Sequence, residues 1–105
     1  FYVEDTVEAN ISLAERLAIM PNLKGHAFNF SYERPMTVLG ITKEILRLTG
    51  SRLVPRVLGQ ATGEIRNQYL SAKKARKTLG WTPAVRLEEG LRRTIGWYED
   101  FFGRD

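Results

Sequence analysis

The segment "NQYLSAKKARKTLGWTP", residues 67–83, marks both ends of one helix. Ser71 is a residue type that often caps the first turn of a helix, because its hydroxyl accepts a backbone N–H. Gly80 readily adopts the left-handed conformation in which many helices end. We therefore expect a short basic helix that follows Ser71 and ends at Leu79, with a loop after it.

Tyr69 and Lys73 have the Tyr-x-x-x-Lys spacing of active sites in which a lysine acidifies a tyrosine phenol. That chemistry needs both side chains one turn apart on a single helix. Ser71 lies between them as a cap, so we expect Tyr69 before the helix and Lys73 in its first turn. We interpret the spacing as a coincidence of capping, and we predict no catalytic residue.

A glycine-rich dinucleotide motif requires glycines that follow a strand and open a helix. The nearest candidate is Gly59 to Gly63, and no helical pattern follows it. We therefore predict no cofactor-binding residue in this chain.

The first helix is expected at residues 5–20. Asp5 is a plausible N-cap, and Glu8 three positions later resembles a capping box. Pro21 and Asn22 end the helix. Its apolar residues follow helical spacing, namely Val7, Ile11, Ala14 and Leu17 or Ala18.

Two further helices are predicted on either side of the basic segment. Thr37 can cap a helix rich in Val, Leu and Ile, and Gly50 has the position of a C-terminal glycine. From Leu87 another helix is expected to run toward Phe102. The aromatic side chains near it have helical spacing and are expected in the core, namely Trp81, Trp97, Tyr98, Phe101 and Phe102.

Three short segments have the composition of extended chain: residues 26–31, 51–59 and 64–70. Four helices with two to four short strands predict an α/β fold, or α+β for the isolated piece. At 105 residues the chain is expected to form a single domain.

The composition excludes several classes of protein. With no cysteine and a single histidine, His26, the chain offers no thiolate metal site, and we predict no metal ligand. No apolar run approaches the roughly 18 residues of a membrane span. We expect a cytoplasmic protein without a membrane partner.

The net charge of +4 is concentrated in the basic helix, at Lys73, Lys74, Arg76 and Lys77. Such a cluster could contact nucleic acid or a protein partner as a stand-alone basic module. A non-catalytic interaction domain that uses the aromatic final helix is a third alternative. A solvated helix face is the interpretation that we favour, so a nucleic-acid partner is not expected.

Residues 59–68 are the segment of the sequence that could bind a ligand. If residues 64–68 are extended, Glu64, Arg66 and Gln68 point the same way and form a polar row. An acid, a guanidinium and an amide in one row could hydrogen-bond a nucleotide or a sugar. The alternative is a solvent-facing strand edge of mixed charge.

Three stretches resemble the C-terminal portion of extended short-chain dehydrogenase/reductases, the NAD-dependent nucleotide-sugar epimerases and dehydratases. These stretches are "FYVEDTVEANISLAERL" at 1–17, "AFNFSYERPMTVLGITKEILRLTG" at 27–50 and "GEIRNQYLSAKKARKTLGWTPAVRLEEGLRRTIGWYEDFF" at 63–102. The resemblance covers nearly the whole chain. It implies an extended Rossmann-type dehydrogenase whose substrate-binding C-terminal part is this segment.

Within that family, residues 29–31 and 64–70 look most similar to CDP-glucose 4,6-dehydratases. Several other branches place an arginine before the last strand to contact the diphosphate, and Ala61 has the matching position here. By position, the resemblance places Glu64, Arg66 and Gln68 in the loop with which the family contacts the nucleotide of its substrate. It therefore implies a CDP-glucose-like nucleotide-sugar as the partner of these residues.

The resemblance also implies what this chain lacks. The family's NAD motif and catalytic residues lie upstream, in an N-terminal Rossmann domain, and the parent is expected to be a homo-oligomeric lyase or isomerase. Residues 1–35 would pack on that missing domain, and residues 36–105 would bind substrate. Alone, the chain, which starts without methionine, is expected to be an inactive and marginally stable fragment that binds no NAD.

Overall fold

A computed structural model describes residues 1–60, 62, 63, 65 and 67–103. Within these residues there are four α-helices and a short 3₁₀-helix at Pro21–Leu23. The predicted number of α-helices is confirmed. The helices are α1 (Val3–Ile19), α2 (Val38–Leu48), α3 (Lys73–Leu79) and α4 (Leu87–Phe102).

The predicted strands are not formed in the described part of the chain. A strand needs a neighbouring backbone for its ladder, and among the described residues no such ladder forms at 26–31. Their groups bond elsewhere: the Ala27 carbonyl accepts from the Lys74 ammonium at 2.9 Å, and Phe28 and Phe30 pack on the core. The aromatic composition that suggested a strand therefore reflects burial, and the α/β class is not confirmed.

Residues 51–59 are likewise irregular, and so are residues 67–70. Two positions of the third predicted strand, Glu64 and Arg66, lie outside the described residues. The expectation of an extended row at 64–68 is therefore not tested by this structure.

The chain divides into two compact units. The first comprises Phe1–Arg34 and Tyr69–Leu87, and the second comprises Pro35–Gln68 and Glu88–Asp105. The buried apolar side chains of the described residues all belong to the first unit: Ala9, Leu23, Ala72, Ala75, Leu79 and Trp81. The division into a cofactor-packing part (1–35) and a substrate part (36–105) stays a prediction.

Trp81 is the largest side chain of this core and is 5% exposed. Its ring meets Phe30 edge-on at a centroid distance of 4.9 Å and Phe1 at 5.7 Å. Three of its core neighbours are alanines, which allow the helices to approach closely but bury little apolar area. The first unit therefore has a small core built around one indole.

Helix α1 begins at Val3, two residues earlier than predicted, with Tyr2 as its N-cap. Asp5 is therefore not the cap, and no capping box with Glu8 forms. Ala9, Leu13 and Leu17 face the core. The apolar stripe that carries Val7 and Ile11 lies on another side of the helix and is exposed.

Helix α2 has the ends that the sequence predicts. The Thr37 hydroxyl accepts the Gly40 N–H at 3.0 Å. At the other end, Gly50 adopts a φ of +64°, and the N–H groups of Gly50 and Ser51 donate to the carbonyls of Arg47 and Leu46. This pair of bonds is a Schellman motif, which satisfies carbonyls that the helix leaves open.

Helices α3 and α4 confirm two further boundaries and correct two details. Gly80, at a φ of +71°, ends α3, but Ala72 rather than Ser71 is the residue directly before it. Trp97, at 59% exposed, and the other three aromatic side chains of α4 lie on the surface instead of in a core. These rings stack on one another along the helix, because residues three and four apart share a face. No helix in the described part of the chain is long and apolar enough to cross a membrane.

Candidate functional site

The structure places only one residue of the predicted polar row. Gln68 is exposed and lies in irregular chain, one residue before the first unit resumes at Tyr69. Glu64 and Arg66 lie outside the described residues. The structure therefore neither assembles nor separates the three side chains.

The Tyr-x-x-x-Lys pair does not form a catalytic arrangement. Lys73 is the first residue of α3, and Tyr69 precedes the helix in irregular, exposed chain. The two side chains therefore do not share a helix face, as the catalytic geometry requires. The predicted placement, with Tyr69 before the helix and Lys73 in its first turn, agrees with the structure, and the absence of a catalytic residue stays a prediction.

Sequence reasoning missed an anchored carboxylate at Glu33. Its Oε1 accepts the Ser71 hydroxyl at 2.8 Å and the Ala72 N–H at 2.9 Å. Its Oε2 forms an ion pair with the guanidinium of Arg76. Glu33 thus contacts Ser71 and Ala72, which directly precede α3, and Arg76, which lies within α3.

The backbone of Glu33 is unusual as well. Its φ is +53°, a left-handed conformation that side chains other than glycine seldom adopt, and no other non-glycine residue has a positive φ in the described chain. The Ser31 hydroxyl accepts the Glu33 N–H at 2.7 Å and donates to the Leu70 carbonyl at 2.9 Å. We call these contacts of Ser31 and Glu33 with residues 70–72 and Arg76 the Glu33 clasp.

The electrostatics of the clasp favour its ionised form. The Arg76 guanidinium, with help from the Ser71 hydroxyl and the Ala72 N–H, lowers the pKa of the Glu33 carboxyl below its usual value, although partial burial opposes this. The same pair raises the pKa of Arg76. Glu33 is therefore a carboxylate at neutral pH.

A second buried contact links α1 to the loop after Trp81. Asp5 is 3% exposed, and its carboxylate accepts the N–H groups of Ala84 at 2.8 Å and Val85 at 3.3 Å. Tyr32 donates its hydroxyl to the Val85 carbonyl at 2.6 Å. Burial, together with the Asp5 charge, raises the pKa of Tyr32 against the opposing Tyr2 N–H. Tyr32 therefore stays protonated and can act as this donor.

Two side chains of the basic cluster of α3 make contacts within the protein. The Lys74 ammonium donates to the Ala27 carbonyl and lies 4.7 Å from the centre of the Phe28 ring, a cation–π contact. Arg76 pairs with Glu33. Two of the four cations therefore have internal roles, which leaves less charge for a phosphate backbone.

The described residues do not fit a dinucleotide. Gly59 and Gly63 have positive φ values, but no strand precedes them and the next helix is α3. A dinucleotide pyrophosphate is held by a strand, a glycine turn and a helix N-terminus in succession. Within the same described positions, no group of three or more His, Cys, Asp or Glu side chains could hold a metal ion.

The signals for Asp5 and Glu33 in the sequence are weak. An acid near a helix start usually caps it, and an acid in "SYERP" is usually a turn residue. Their partners lie 79 and 38 residues away along the chain, at Ala84 and Ser71 respectively. Only packing brings such pairs together.

Comparison with curated proteins finds distant relatives that match nearly the whole chain. A dTDP-D-glucose 4,6-dehydratase of Bos taurus is 30% identical over 109 residues, covering 96% of this chain and 29% of the relative. A UDP-glucuronate 4-epimerase of Thermodesulfobacterium geofontis is 26% identical over 100 residues, covering 94% and 29%. A UDP-glucose 4-epimerase of Oryza sativa subsp. japonica is 26% identical over 96 residues, covering 91% and 26%.

The chain therefore spans less than a third of the length of these relatives. No family model matches it, and no solved structure matches it. Its distant homologues are nucleotide-sugar epimerases and dehydratases, which supports the family that the sequence resembles.

Proposed function

We propose that this chain is the substrate-binding portion of an NAD-dependent nucleotide-sugar 4,6-dehydratase or epimerase. It contributes recognition of the nucleotide-sugar and no catalytic residue. The observation that carries the proposal is the similarity to enzymes named for UDP- and dTDP-sugars along more than nine tenths of this chain. The exposed position of Gln68 is compatible with a contact to ligand.

The proposed contacts are Glu64, Arg66 and Gln68. A guanidinium can bind a diphosphate through two parallel hydrogen bonds, so Arg66 would hold the pyrophosphate of the nucleotide-sugar. The Glu64 carboxylate would accept ribose or sugar hydroxyls, and the Gln68 amide could donate to and accept from a base or hydroxyl. Together the three groups match the chemistry of a charged, hydroxyl-rich ligand.

CDP-glucose is the nucleotide-sugar that we propose for this row. The basis is sequence: residues 29–31 and 64–70 look most similar to the CDP-glucose dehydratases, and Ala61 has the place where other branches carry an arginine. Discrimination among CDP-, UDP- and dTDP-glucose is therefore the sharpest test of this finer claim.

The cofactor of the proposed enzyme would be bound elsewhere. The described residues do not form a dinucleotide site, so NAD would belong to an N-terminal Rossmann domain of a longer protein. NAD accepts and returns hydride when bound. The exposed apolar stripe of α1, which includes Val3, Val7 and Ile11, is the surface that we propose packs on that domain.

The proposal is tested by titrating isotope-labelled protein with CDP-glucose and following backbone amide shifts. We expect the shifts to concentrate in residues 59–70. Arg66→Gln should weaken binding about tenfold, because hydrogen bonds to charged groups contribute that much to an affinity. UDP-glucose and dTDP-glucose, titrated in parallel, should bind less tightly.

The matched control is Arg93→Gln, which removes a guanidinium from α4, where it pairs with Glu89. This variant should bind CDP-glucose as the unchanged chain does. Flat spectra with all three nucleotide-sugars at millimolar concentration would overturn the proposal. Equal affinity for the three sugars would overturn the CDP preference and leave the general binding role.

The alternative is a basic module that binds nucleic acid through α3. The internal use of Lys74 and Arg76 makes it the weaker interpretation. Nucleic-acid binding would fall steeply with salt, because it releases counterions from the phosphates. This alternative would be favoured if the affinity for single-stranded or duplex oligonucleotides fell steeply with salt and no nucleotide-sugar bound.

A further inference from the structure

The last two turns of α4 expose a continuous aromatic surface. Its four rings occupy positions i, i+1, i+4 and i+5 of the helix and therefore share a face. They stack on one another and are between 50% and 69% exposed: Trp97, Tyr98, Phe101 and Phe102. A contiguous exposed patch of large apolar side chains marks an interaction surface. We call these four residues the aromatic end of α4.

The aromatic end has an acidic side chain along each edge. At about 100° per residue, Glu99 and Asp100 lie on opposite sides of the aromatic face. Among the described residues neither acid forms an ion pair, whereas Glu88 and Glu89 in the first turn of α4 pair with arginines of the same helix. The surface is therefore apolar in its middle and negatively charged at its edges.

A second exposed apolar surface of the same unit has the opposite charge. Residues 52–58, "RLVPRVL", lie in irregular chain and show one pattern twice, an arginine followed at once by two aliphatic residues. The four aliphatic side chains are between 61% and 87% exposed: Leu53, Val54, Val57 and Leu58. Arg52 and Arg56 are exposed as well, and within the described chain no ion pair engages either of them. We call these residues the 52–58 segment.

Charge decides which of these surfaces can meet. Two aromatic ends facing each other would bring the acids of two copies together, and two 52–58 segments would bring their arginines together. Like charges across an interface are costly. The aromatic end of one copy and the 52–58 segment of another are complementary, because an acidic aromatic surface then meets a basic aliphatic one. Both surfaces are exposed in the single chain, so each is accessible to a second copy.

Area decides how many such contacts a stable pair needs. A buried aromatic side chain contributes about 150–250 Å², so the exposed parts of the four rings offer roughly 500 Å². The four aliphatic side chains offer roughly 300 Å². One contact therefore buries roughly 800 Å² in total, which is the size of a nonspecific packing contact, whereas two reciprocal contacts bury roughly 1,600 Å², the size of a specific interface.

We propose that the chain forms a symmetric dimer in which the aromatic end of α4 of each copy receives the 52–58 segment of the other. Arg52 and Arg56 of one copy face the carboxylates at Glu99 and Asp100 of the other. The same two surfaces occur on both sides of the interface, as two-fold symmetry requires. This dimer goes beyond the proposed function and does not depend on it, because no nucleotide-sugar takes part in the association.

Sedimentation velocity of the unchanged chain at increasing concentration tests the stoichiometry. We expect the average mass to reach that of two chains by about 100 µM and to stop there, because interfaces of this area have micromolar or tighter dissociation constants. The mass of a single chain at every concentration would overturn the dimer, and these surfaces would then be left for another part of a longer protein to cover. Masses that grow beyond two chains would overturn the reciprocal arrangement.

Charge reversal tests which surfaces meet. One variant combines Arg52→Glu with Arg56→Glu, and the other combines Glu99→Lys with Asp100→Lys. All four residues are exposed, so the fold should be retained. Each variant alone has like charges across both contacts, and its dissociation constant should rise at least tenfold. Mixed in equal amounts, the two variants should form a dimer again, because every contact then joins opposite charges. A mixture that does not associate would overturn the assignment of these surfaces.

Trp97→Ala tests the aromatic contribution. The ring is exposed in the single chain, so circular dichroism should show an unchanged fold. The dissociation constant should rise about tenfold for each altered copy, and so about a hundredfold for the dimer. Lys43→Glu is the matched control, because it reverses an exposed charge on α2 in the same unit and should leave the dimer unchanged. Equal dissociation constants for Trp97→Ala and the unchanged chain would overturn the role of the aromatic end.

Discussion

Asp5 joins two parts of the chain that are far apart in sequence. It lies in the first turn of α1, where a carboxylate also interacts favourably with the helix dipole, and it accepts N–H groups from Ala84 and Val85. Buried N–H groups are costly when they have no acceptor. Asp5 therefore stabilises the loop that carries the chain from Trp81 to α4.

Replacing Asp5 by alanine should destabilise the first unit. The change leaves two N–H groups without their acceptor, at a cost of about 1–3 kcal/mol. In a domain of this size, each kcal/mol lowers the melting temperature by roughly 4–8 °C. Thermal unfolding followed by circular dichroism measures the effect.

Glu8→Ala is the matched control, because Glu8 is an exposed acid on the same helix and forms no capping box with Asp5. It should change stability by less than about 0.5 kcal/mol. Similar losses for Glu8→Ala and Asp5→Ala would favour the reciprocal capping box that the structure contradicts.

Glu33 gives stability a dependence on acid pH. Its pKa in the folded protein lies below the ordinary value of 4.5. A lowered pKa stabilises the fold above the unfolded value, and this contribution is lost as the pH falls through the folded value. The melting temperature of the unchanged chain should therefore exceed that of Glu33→Gln most at neutral pH, and the difference should shrink below about pH 4.5.

The acids Glu44 and Glu88 also have pKa values lowered by arginine partners, so the unchanged chain alone cannot isolate Glu33. The difference in melting temperature between the unchanged chain and Glu33→Gln at each pH cancels the contributions of Glu44 and Glu88, which both proteins share. A difference that stays constant down to about pH 3 would show that the Glu33 charge does not support the fold.

At the scale of the element, α2 depends on its ends more than on burial. None of its residues is buried, and Val38 is 84% exposed. Short helices are marginal in water without packing, so capping carries more of the helical stability than usual. The stability of α2 therefore depends mainly on its caps at Thr37 and Gly50.

Thr37→Ala should weaken α2 by about 1 kcal/mol, since the Gly40 N–H loses its acceptor. Thr37→Ser keeps the hydroxyl and should change the stability of the helix by only a few tenths of a kcal/mol. Amide exchange at Gly40 is the direct measurement. Equal exchange in the two variants would show that the hydroxyl does not cap the helix.

At the scale of the whole molecule, the two units differ in their cores. The buried apolar side chains described above lie in the first unit, whereas α4 buries only Gly90 among its described residues. Local stability follows buried apolar contact. The helices of the second unit should therefore open more easily than those of the first.

Hydrogen exchange across the chain tests this difference. We expect the central amides of α1 to exchange more slowly than those of α2, although α2 has the better caps. Addition of CDP-glucose should slow exchange in the second unit if the proposed site lies there. Uniform protection of α1 and α2 would contradict the unequal cores.

The chain as a whole should be marginally stable. Its core is small, and many large apolar side chains are exposed, including those of α1 and the aromatic face of α4. We expect a melting midpoint below the roughly 45–65 °C that is typical of complete mesophilic domains. A cooperative transition within or above that range would contradict this expectation.

Local signals in the sequence predicted the helices well. Thr37, Gly50 and Gly80 act through neighbours within a few residues, so their roles follow from residue type and spacing. The strands could not be predicted in this way, because a strand depends on a partner elsewhere in the chain. The predicted burial was right for Trp81 and wrong for the aromatic residues of α4, because helical spacing shows that Trp97 and Phe101 share a face but not what covers it.

The candidate site was less predictable. The polar row came from alternation along the chain, and two of its three residues, Glu64 and Arg66, lie outside the described positions. The contacts of Glu33 were missed because its partners Ser71, Ala72 and Arg76 are brought to it only by folding.

The sequence by itself determined the four helices, the residues that end them and the resemblance to nucleotide-sugar enzymes. These features depend on neighbouring residues or on similarity along the whole chain. The tertiary structure alone decided that Asp5 accepts from a distant loop, that Trp97 is exposed, and that Ser31 and Glu33 contact residues 70–72. Each of these facts depends on contacts between residues far apart in sequence, which local propensity does not encode.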